Sequence, residues 1–222
     1  MSSPNPRVLI IGRSPTALLD AVKVLRAKGY AADATNQFAD VLTNYDVGEL
    51  ELLVFGGMVP LDQKAQLRTE ISRRNPQARI IDGLAGIGGV IAAQIESELD
   101  IGSRTAVIGY DEQRKVITLE LSRPEHVVAA AWFGRFVPPV PTSSTADLID
   151  ADLGVGFHTI AVSPEASFAT VSVGSQVGVL TISGVPSQTA SLVPATAADR
   201  RLPEVAAVTT HNGEPSTATA DV

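Results

Sequence analysis

The sequence predicts two domains and a tail: a doubly wound α/β parallel sheet over residues 1–100, an all-β sandwich over 104–183, and the tail over 184–222. Short apolar runs alternate with helical patterns in the first hundred residues, which is typical of a parallel sheet covered by helices. From Thr105 the apolar residues alternate with polar ones, which indicates half-buried strands. The last 39 residues are rich in Ser, Thr, Ala, Pro and Gly, and this composition predicts a disordered tail in which Val205–Val208 docks only transiently.

The first strand and the first helix are the most clearly marked elements. Val8–Ile11 is a continuous apolar run, as expected for a strand buried on both faces. Ser14 is a favourable N-cap, and Pro15 occupies the first helical position, where its missing N–H costs nothing. Right-handed crossovers favour the strand order 2-1-3-4. The remaining elements predicted in this domain are strands at 30–35, 52–55 and 78–81 and helices over 38–45, 60–75 and 87–99.

The carboxyl ends of strands one, three and four meet along one edge in this order, and such sheets bind ligands there. Helix N-termini at Ser14 and near Ile87 would direct N–H groups toward this edge, which suits an anion, and Arg13 would add positive charge. The alternative is that the glycines only make tight turns and allow close packing. The candidate residues for a small anionic ligand are Gly12, Arg13, Ser14, Thr16, Gly56, Gly57, Met58, Gly83 and Gly86.

The segment Leu53–Pro60 resembles the third-strand signature of response-regulator receiver domains, in which a phospho-accepting aspartate precedes apolar residues and a proline. Gly56 occupies the aspartate position here. Gly12-Arg13 replaces the acidic pair that would hold magnesium, and Asp82-Gly83 stands where a hydroxyl residue is expected. The resemblance therefore implies a flavodoxin-like pseudo-receiver that the usual chemistry cannot phosphorylate.

The turn at Phe55–Met58 also resembles the strand-end glycine turn of Rossmann domains of the short-chain reductase type. The fingerprint G-x-G-x-x-G is incomplete, because Gly12 is its only glycine. The acidic residue expected after the second strand and the Tyr-x-x-x-Lys pair are both missing from the sequence. This resemblance implies the alternative function, a degenerate NADP- or nucleotide-binding oxidoreductase subunit that needs a partner chain.

The second half predicts seven short strands, a number typical of an immunoglobulin-like sandwich. A hairpin joins the first two strands, and the proline-rich segment Phe136–Pro141 predicts a crossing between strands. Asp152–Ile160 resembles a turn of bacterial immunoglobulin-like modules, which implies binding or dimerisation. The strands are predicted at 105–110, 115–121, 127–133, 146–149, 156–162, 167–173 and 177–182. Most of five aromatic residues are expected in this core, and exposed ones would mark a contact surface: Trp132, Phe133, Phe136, Phe157 and Phe168.

Catalytic and metal-binding side chains are sparse. The sequence has no cysteine, which excludes disulfides, thiolate metal sites and cysteine nucleophiles and fits a cytoplasmic protein. Ser143, His158 and Asp150 form a triad on paper only, because no nucleophile elbow accompanies them. Asp147, Asp150 and Asp152 suggest calcium, but the glycine and glutamate of an EF-hand loop are absent, so solvated edge carboxylates are the preferred interpretation.

The charge and the apolar runs limit the partners. The net charge is −7 without a basic cluster, which predicts no nucleic-acid partner. No apolar run approaches the roughly 20 residues that span a bilayer. The sequence therefore favours a non-catalytic, cytoplasmic regulatory or scaffold protein that contacts a protein partner or a second copy of itself and has a possible small anionic ligand; its cofactor, if any, is unknown.

Overall fold

The computed structural model describes residues 5–100, 105–137, 140–183 and 205–211. These residues divide into two units, one drawn from Met1–Ile95 and Val205–Val222 and the other from Glu96–Glu204. The first unit therefore contains a C-terminal piece of the chain that returns to it. Among the described residues, no helix has the length and apolar character needed to cross a membrane.

Residues 5–100 contain four strands and four helices. The strands are β1 (Arg7–Ile11), β2 (Ala31–Thr35), β3 (Leu52–Phe55) and β4 (Arg79–Asp82). The helices are α1 (Pro15–Ala27), α2 (Val41–Asn44), α3 (Leu61–Arg74) and α4 (Gly88–Leu99). The strands are all parallel in the order β2-β1-β3-β4, which confirms the predicted order. The predicted second helix is shorter than expected, because a 3₁₀ turn takes its first residues, Phe38–Asp40.

The parallel sheet is buried because its strands are apolar on both faces. Leu9 and Ile11 of β1 pack in one cluster with Leu67 and Ile71 of α3. The alternation of side chains along a strand places Val8 and Ile10, which are equally buried, on the opposite face. Helices on both faces are needed to cover such a sheet.

The second unit is built from seven antiparallel strands. They are β5 (Ala106–Asp111), β6 (Val116–Leu121), β7 (Glu125–Val137), β8 (Val140–Leu153), β9 (Gly156–Ala161), β10 (Phe168–Val173) and β11 (Gln176–Thr181). Two sheets form, with the orders β11-β10-β7-β8 and β5-β6-β9. Ile117 and Leu119 of β6 share one buried cluster with Val127 and Ala129 of β7, so residues of both sheets build a single core.

The proline-rich segment differs from its prediction. The structure pairs Val137 with Val140, so β7 and β8 form a long hairpin where a crossing between strands was expected. Pro141 is tolerated in β8 because β8 is the outermost strand of its sheet, where a missing N–H donor need not face a neighbour. Residues 138 and 139 lie outside the described part of the chain.

The aromatic residues of this unit divide between the core and the surface. Phe168 is buried, and Phe133 packs against the core. Trp132 is half-buried and donates its indole N–H to the Thr170 hydroxyl at 2.9 Å. Phe157 is 63% exposed, so it belongs to the exposed subset of these aromatic residues. The reason is strand parity, because Phe157 lies opposite the exposed Glu120 on the outer face of its sheet. The side chain of Phe136 lies outside the described residues.

Candidate functional site

The carboxyl edge of the parallel sheet brings together three of the predicted ligand residues. Gly12 donates its N–H to the Thr35 carbonyl at 3.1 Å, and Gly56 donates to the Ile11 carbonyl at 2.7 Å. Gly83 continues the same edge by donating to the Phe55 carbonyl at 2.8 Å. Their backbone N–H groups therefore extend the sheet's hydrogen bonding and are not free to bind an anion.

Close packing explains why these positions are glycine. A Cβ added to Gly56 would lie 3.2 Å from the Gly12 Cα, and one added to Gly83 would lie 3.4 Å from the Phe55 carbonyl oxygen. Such distances are at or below the usual limit for carbon contacts. Gly57 and Gly86 have open space around them. Gly12, Gly56 and Gly83 thus act as turn and packing residues, which agrees with the alternative weighed for this edge.

The remaining predicted ligand residues lie around this edge in different settings. Ser14 caps α1, because its hydroxyl accepts from the Ala17 N–H at 3.5 Å. Arg13 is half-buried, whereas Thr16 is exposed and Met58 is 43% exposed. The N-cap at Ser14 confirms the predicted start of the helix.

A charged cluster closes the carboxyl end of β4. Lys64 and Arg68 of α3 contact the two carboxylate oxygens of Asp82 at 3.0 and 2.8 Å. The same two cations lie over the Phe55 ring, with Nζ 5.9 Å and Cζ 5.2 Å from its centroid. Partial burial acts to raise the pKa of Asp82, but the hydrogen bonds and charges of Lys64 and Arg68 outweigh it and lower the pKa below its usual value. These two cations are therefore already paired with a carboxylate.

The outer edge of β2 carries a second, more elaborate arrangement. The segment Val205–His211 lies along it in the antiparallel direction. Thr210 donates its N–H to the Ala34 carbonyl at 3.0 Å, and Asn36 donates its N–H to the Val208 carbonyl at 3.1 Å. A disordered tail was predicted over residues 184–222, with only transient docking of 205–208, whereas the structure places residues 205–211 along this edge. The backbone groups of this segment find partners on a strand edge that the sequence could not show to be available.

The Asn36 side chain hydrogen bonds to the main chain of the segment at two places. Its side-chain amide donates to the Ala206 carbonyl at 2.7 Å, and its side-chain oxygen accepts from the Val208 N–H at 2.8 Å. The Asn36 side chain is buried, so these bonds are shielded from water. A buried amide with both ends satisfied by one backbone fixes the position of that backbone along the edge.

Two side chains of the segment point into the protein. Val208 is 5% exposed and Thr210 is 2% exposed. The Thr210 hydroxyl accepts from the Ala34 N–H at 2.8 Å and donates to the Asp33 carboxylate at 3.2 Å. Arg26 of α1 holds the same carboxylate at 2.7 Å. The edge therefore accommodates a small apolar residue and, two positions later, a hydroxyl residue.

Tyr45 closes this arrangement at its C-terminal end. Its ring stacks on His211 with the centroids 5.2 Å apart and an interplanar angle of 27°. Its hydroxyl lies 3.2 Å from the Ala34 carbonyl and 3.1 Å from the Thr210 carbonyl. Arg26 donates to the His211 carbonyl at 3.1 Å. We call the edge of β2 together with Arg26, Asp33, Asn36 and Tyr45 the β2 groove.

Burial and a nearby charge raise the pKa of Tyr45 in the groove. Burial raises the pKa of Tyr45 to about 12, and the nearby Asp33 carboxylate acts in the same direction. A cavity of about 220 Å³ lies beside the Tyr45–His211 stack, with Asp33, Asp46 and Leu50 in its wall. The phenol therefore stays neutral at physiological pH and can donate its hydrogen bond.

In the second unit, His126 of β7 lies between two aspartates of β8. Its Nδ1 is 2.9 Å from Asp152 and its Nε2 is 3.0 Å from Asp150. The hydrogen bond to Asp152 is the main cause of a raised His126 pKa, with desolvation opposing it and Asp150 adding to it. The stabilisation from the protonated imidazole is therefore present below the usual histidine pKa and is lost as the pH rises through the raised pKa of His126.

These contacts also show how the aspartates of β8 and His158 are placed. The imidazole separates Asp150 from Asp152, so the two carboxylates do not converge on one point. In the part of the chain that the structure describes, no group of three His, Asp or Glu side chains could hold a metal ion. His158 hydrogen bonds to the Gly154 carbonyl at 2.8 Å, while Asp150 contacts His126. His158 and Asp150 therefore do not form a catalytic triad with Ser143.

Comparison with protein-family models, curated proteins and solved structures finds no match for this chain. The β2 groove is a candidate site whose residues on β2 and α1 the sequence analysis did not single out. The short apolar stretch Val205–Val208 was its local signal in the sequence, and its partners lie about 170 residues earlier in the chain.

Proposed function

We propose that this chain is a non-catalytic regulatory or scaffold protein that acts through protein–protein contacts, and that the β2 groove is its peptide-binding site. The observation that carries the proposal is the recognition of Val205–His211 by main-chain bonds and by buried side chains together. Addition of a strand to a sheet edge is a common mode of peptide binding. Main-chain bonds supply affinity, and pockets for alternate side chains supply specificity.

The groove defines the class of peptide that it would take. Asn36 contacts only backbone atoms of the segment, so it accepts any extended peptide there. The sites of Val208 and Thr210 are buried, and the hydroxyl of Thr210 has two polar partners. A protein partner with an extended Val-x-Thr segment would fit the same contacts. The chain's own segment would then compete with the partner and regulate its access.

The finer fold assignments belong to this proposal. The order β2-β1-β3-β4 is compatible with a flavodoxin-like pseudo-receiver, and Gly56 leaves it without a phospho-accepting side chain. Seven strands in two antiparallel sheets around one core are compatible with an immunoglobulin-like module. Both assignments fit a protein that binds and positions partners in the cytoplasm.

The alternative, a nucleotide- or NADP-linked oxidoreductase subunit, receives less support. A pyrophosphate needs free backbone N–H groups at a glycine turn, whereas Gly12 and Gly56 donate theirs to the sheet and lie in close contact. Among the candidate residues, Thr16, Gly57, Met58 and Gly86 are exposed, and the two glycines have open space around them. A thermal-shift measurement with phosphate and NADP tests this ligand separately from the peptide.

The peptide site is tested with the full-length Val208→Asp variant, in which a carboxylate would have to enter an apolar site and the groove is vacated. A fluorescent peptide covering residues 203–213 should bind this variant, and anisotropy measures the affinity. Adding Asn36→Ala should weaken binding about tenfold or more, since two shielded hydrogen bonds are lost. Adding Thr43→Ala, at an exposed position outside the groove, should leave the affinity unchanged.

Two further peptides keep the test specific. A peptide with the Val208→Asp change should not bind, because its side chain meets the same apolar site. A peptide with Thr210→Val should bind more weakly, because the Ala34 N–H and the Asp33 carboxylate lose their partner. Equal binding of all three peptides, or no binding of the natural sequence, would rule out the β2 groove as a peptide site.

A further inference from the structure

The outermost strand β8 extends past the rest of its sheet. β10 pairs with β7 only over Val127–Trp132, whereas β7 and β8 remain paired out to Val137 and Val140. Residues 140–144 of β8 therefore belong to a two-stranded ribbon. An isolated two-stranded ribbon is marginally stable in water, so an additional strand along its open edge would stabilise it.

The two halves of β8 differ in how well they are protected from pairing. The C-terminal half carries Asp147, Asp150 and Asp152, and a β-bulge interrupts its register opposite Ala129 and Ala130. Charged side chains and bulges are the devices that prevent edge-to-edge pairing. The other half, Thr142–Ala146, is uncharged, exposed and in regular register. This edge is thus blocked along one half only.

We infer that Thr142–Ala146 forms a homodimer interface, in which β8 pairs antiparallel with β8 of a second copy about a two-fold axis at Ser144. A two-fold axis perpendicular to a sheet keeps every residue on its own face. Directly opposite residues of antiparallel strands also share a face. The axis must therefore lie midway between one residue and the same residue of the second copy. Ser144 is the middle residue of Thr142–Ala146, so an axis there pairs this exposed segment with its own copy along its whole length.

The positions of the charges favour a second copy in this register. With the axis at Ser144, Ser143 lies opposite Thr145 of the second copy, and hydroxyl side chains pair well across strands. Asp147 then lies opposite Pro141 of the second copy, so the aspartates of the two copies do not face one another. An axis in the C-terminal half of β8 would gather six aspartates, and their repulsion excludes that register.

A single introduced cysteine tests the register, because the natural sequence has none. Ser144→Cys places the two thiols directly opposite, within the Cα separation that a disulfide requires. Oxidation should convert most of this variant into a covalent dimer, seen on a non-reducing gel. Ala146→Cys is the matched control, since its two copies would be about 13 Å apart along the strands. Equal cross-linking of both variants, or of neither, overturns the proposed register.

Introduced charged residues test the same pairing without a covalent cross-link. Ser143 and Thr145 lie opposite Gly134 and Trp132 on the solvent-facing side of the sheet, so charged residues there leave the core intact. Ser143→Lys with Thr145→Lys sets lysine against lysine twice, and the dimer dissociation constant should rise tenfold or more. Ser143→Lys with Thr145→Glu sets lysine against glutamate twice and should restore dimers. Analytical ultracentrifugation measures both, and circular dichroism checks the fold.

The oligomeric state of the natural chain is the most direct test of the proposed dimer. This chain should sediment as a monomer–dimer equilibrium with a dissociation constant below about 1 mM. A natural chain that stays monomeric up to that concentration overturns the inference, as does a dimer that both double variants leave unchanged.

Discussion

The carboxyl end of the parallel sheet and the outer edge of β2 belong to one sheet but use different chemistry. At the carboxyl end, Gly12, Gly56 and Gly83 pack backbone against backbone and donate to neighbouring strands. At the β2 edge, side chains such as Asn36 and Tyr45 bond to a segment from the far end of the chain. The difference teaches that a glycine-rich turn is compatible with packing alone, whereas buried polar side chains directed at another backbone fix the position of that backbone.

The largest expected effect tests whether the β2 groove is a built site. Val208→Asp should lower the free energy of unfolding by about 3 kcal/mol, because a carboxylate must either enter an apolar site or release the segment. Chemical denaturation followed by circular dichroism measures the change. Ala207→Asp is the matched control, since Ala207 is exposed in the same segment. A loss below 1 kcal/mol for Val208→Asp would show that the segment contributes little.

The second prediction tests packing beside the carboxyl end. A Cβ at Gly88, the first residue of α4, would lie 2.6 Å from the Asp20 Cβ and 2.9 Å from the Ala17 carbonyl oxygen. Gly88→Ala should therefore cost about 2 kcal/mol of stability, although alanine is the better helix former. Gly86→Ala, which has open space, should have almost no effect on the melting temperature. Equal effects of the two substitutions would contradict the packing role.

The third prediction concerns the phenol that closes the β2 groove. The raised pKa of Tyr45, about 12, means that neutral Tyr45 stabilises the fold below pH 10 and that this contribution is lost between about pH 10 and 12. Ultraviolet titration should show one late tyrosine that disappears in Tyr45→Phe. In the Val208→Asp background this tyrosine should titrate earlier, because release of the segment exposes it. An unchanged titration there would mean that the segment does not bury Tyr45.

The smallest effect belongs to the charged cluster at the carboxyl end. Because the pKa of Asp82 is lowered, its contribution is present above the usual aspartate pKa and is lost as the pH falls through the lowered value. The carboxylate is 61% exposed, so solvent screens the contacts, and Asp82→Asn should cost only about 0.5 kcal/mol at pH 7. Denaturation at pH 7 and pH 3 measures this, and a larger loss would give the cluster a greater role than its exposure implies.

The sequence by itself determined the elements whose signals are local. The apolar run of β1, the cap at Ser14 and the proline at the start of α1 lie within a few residues of one another, and their physical meaning does not depend on distant partners. The change of periodicity at Thr105 likewise separated the parallel sheet from the antiparallel strands. The right-handed crossover rule then left the order β2-β1-β3-β4 as the favoured arrangement.

The tertiary structure alone decided which of the candidate residues act together. Asn36 and Val208 are 172 positions apart, and nothing near either residue indicates the other. The length of the β7–β8 hairpin and the outward position of Phe157 depend on strand pairing across the sheet, where a shift of one residue reverses every face. Local propensity fixes where a strand or a helix begins, but long-range pairing determines which of its groups remain for another chain.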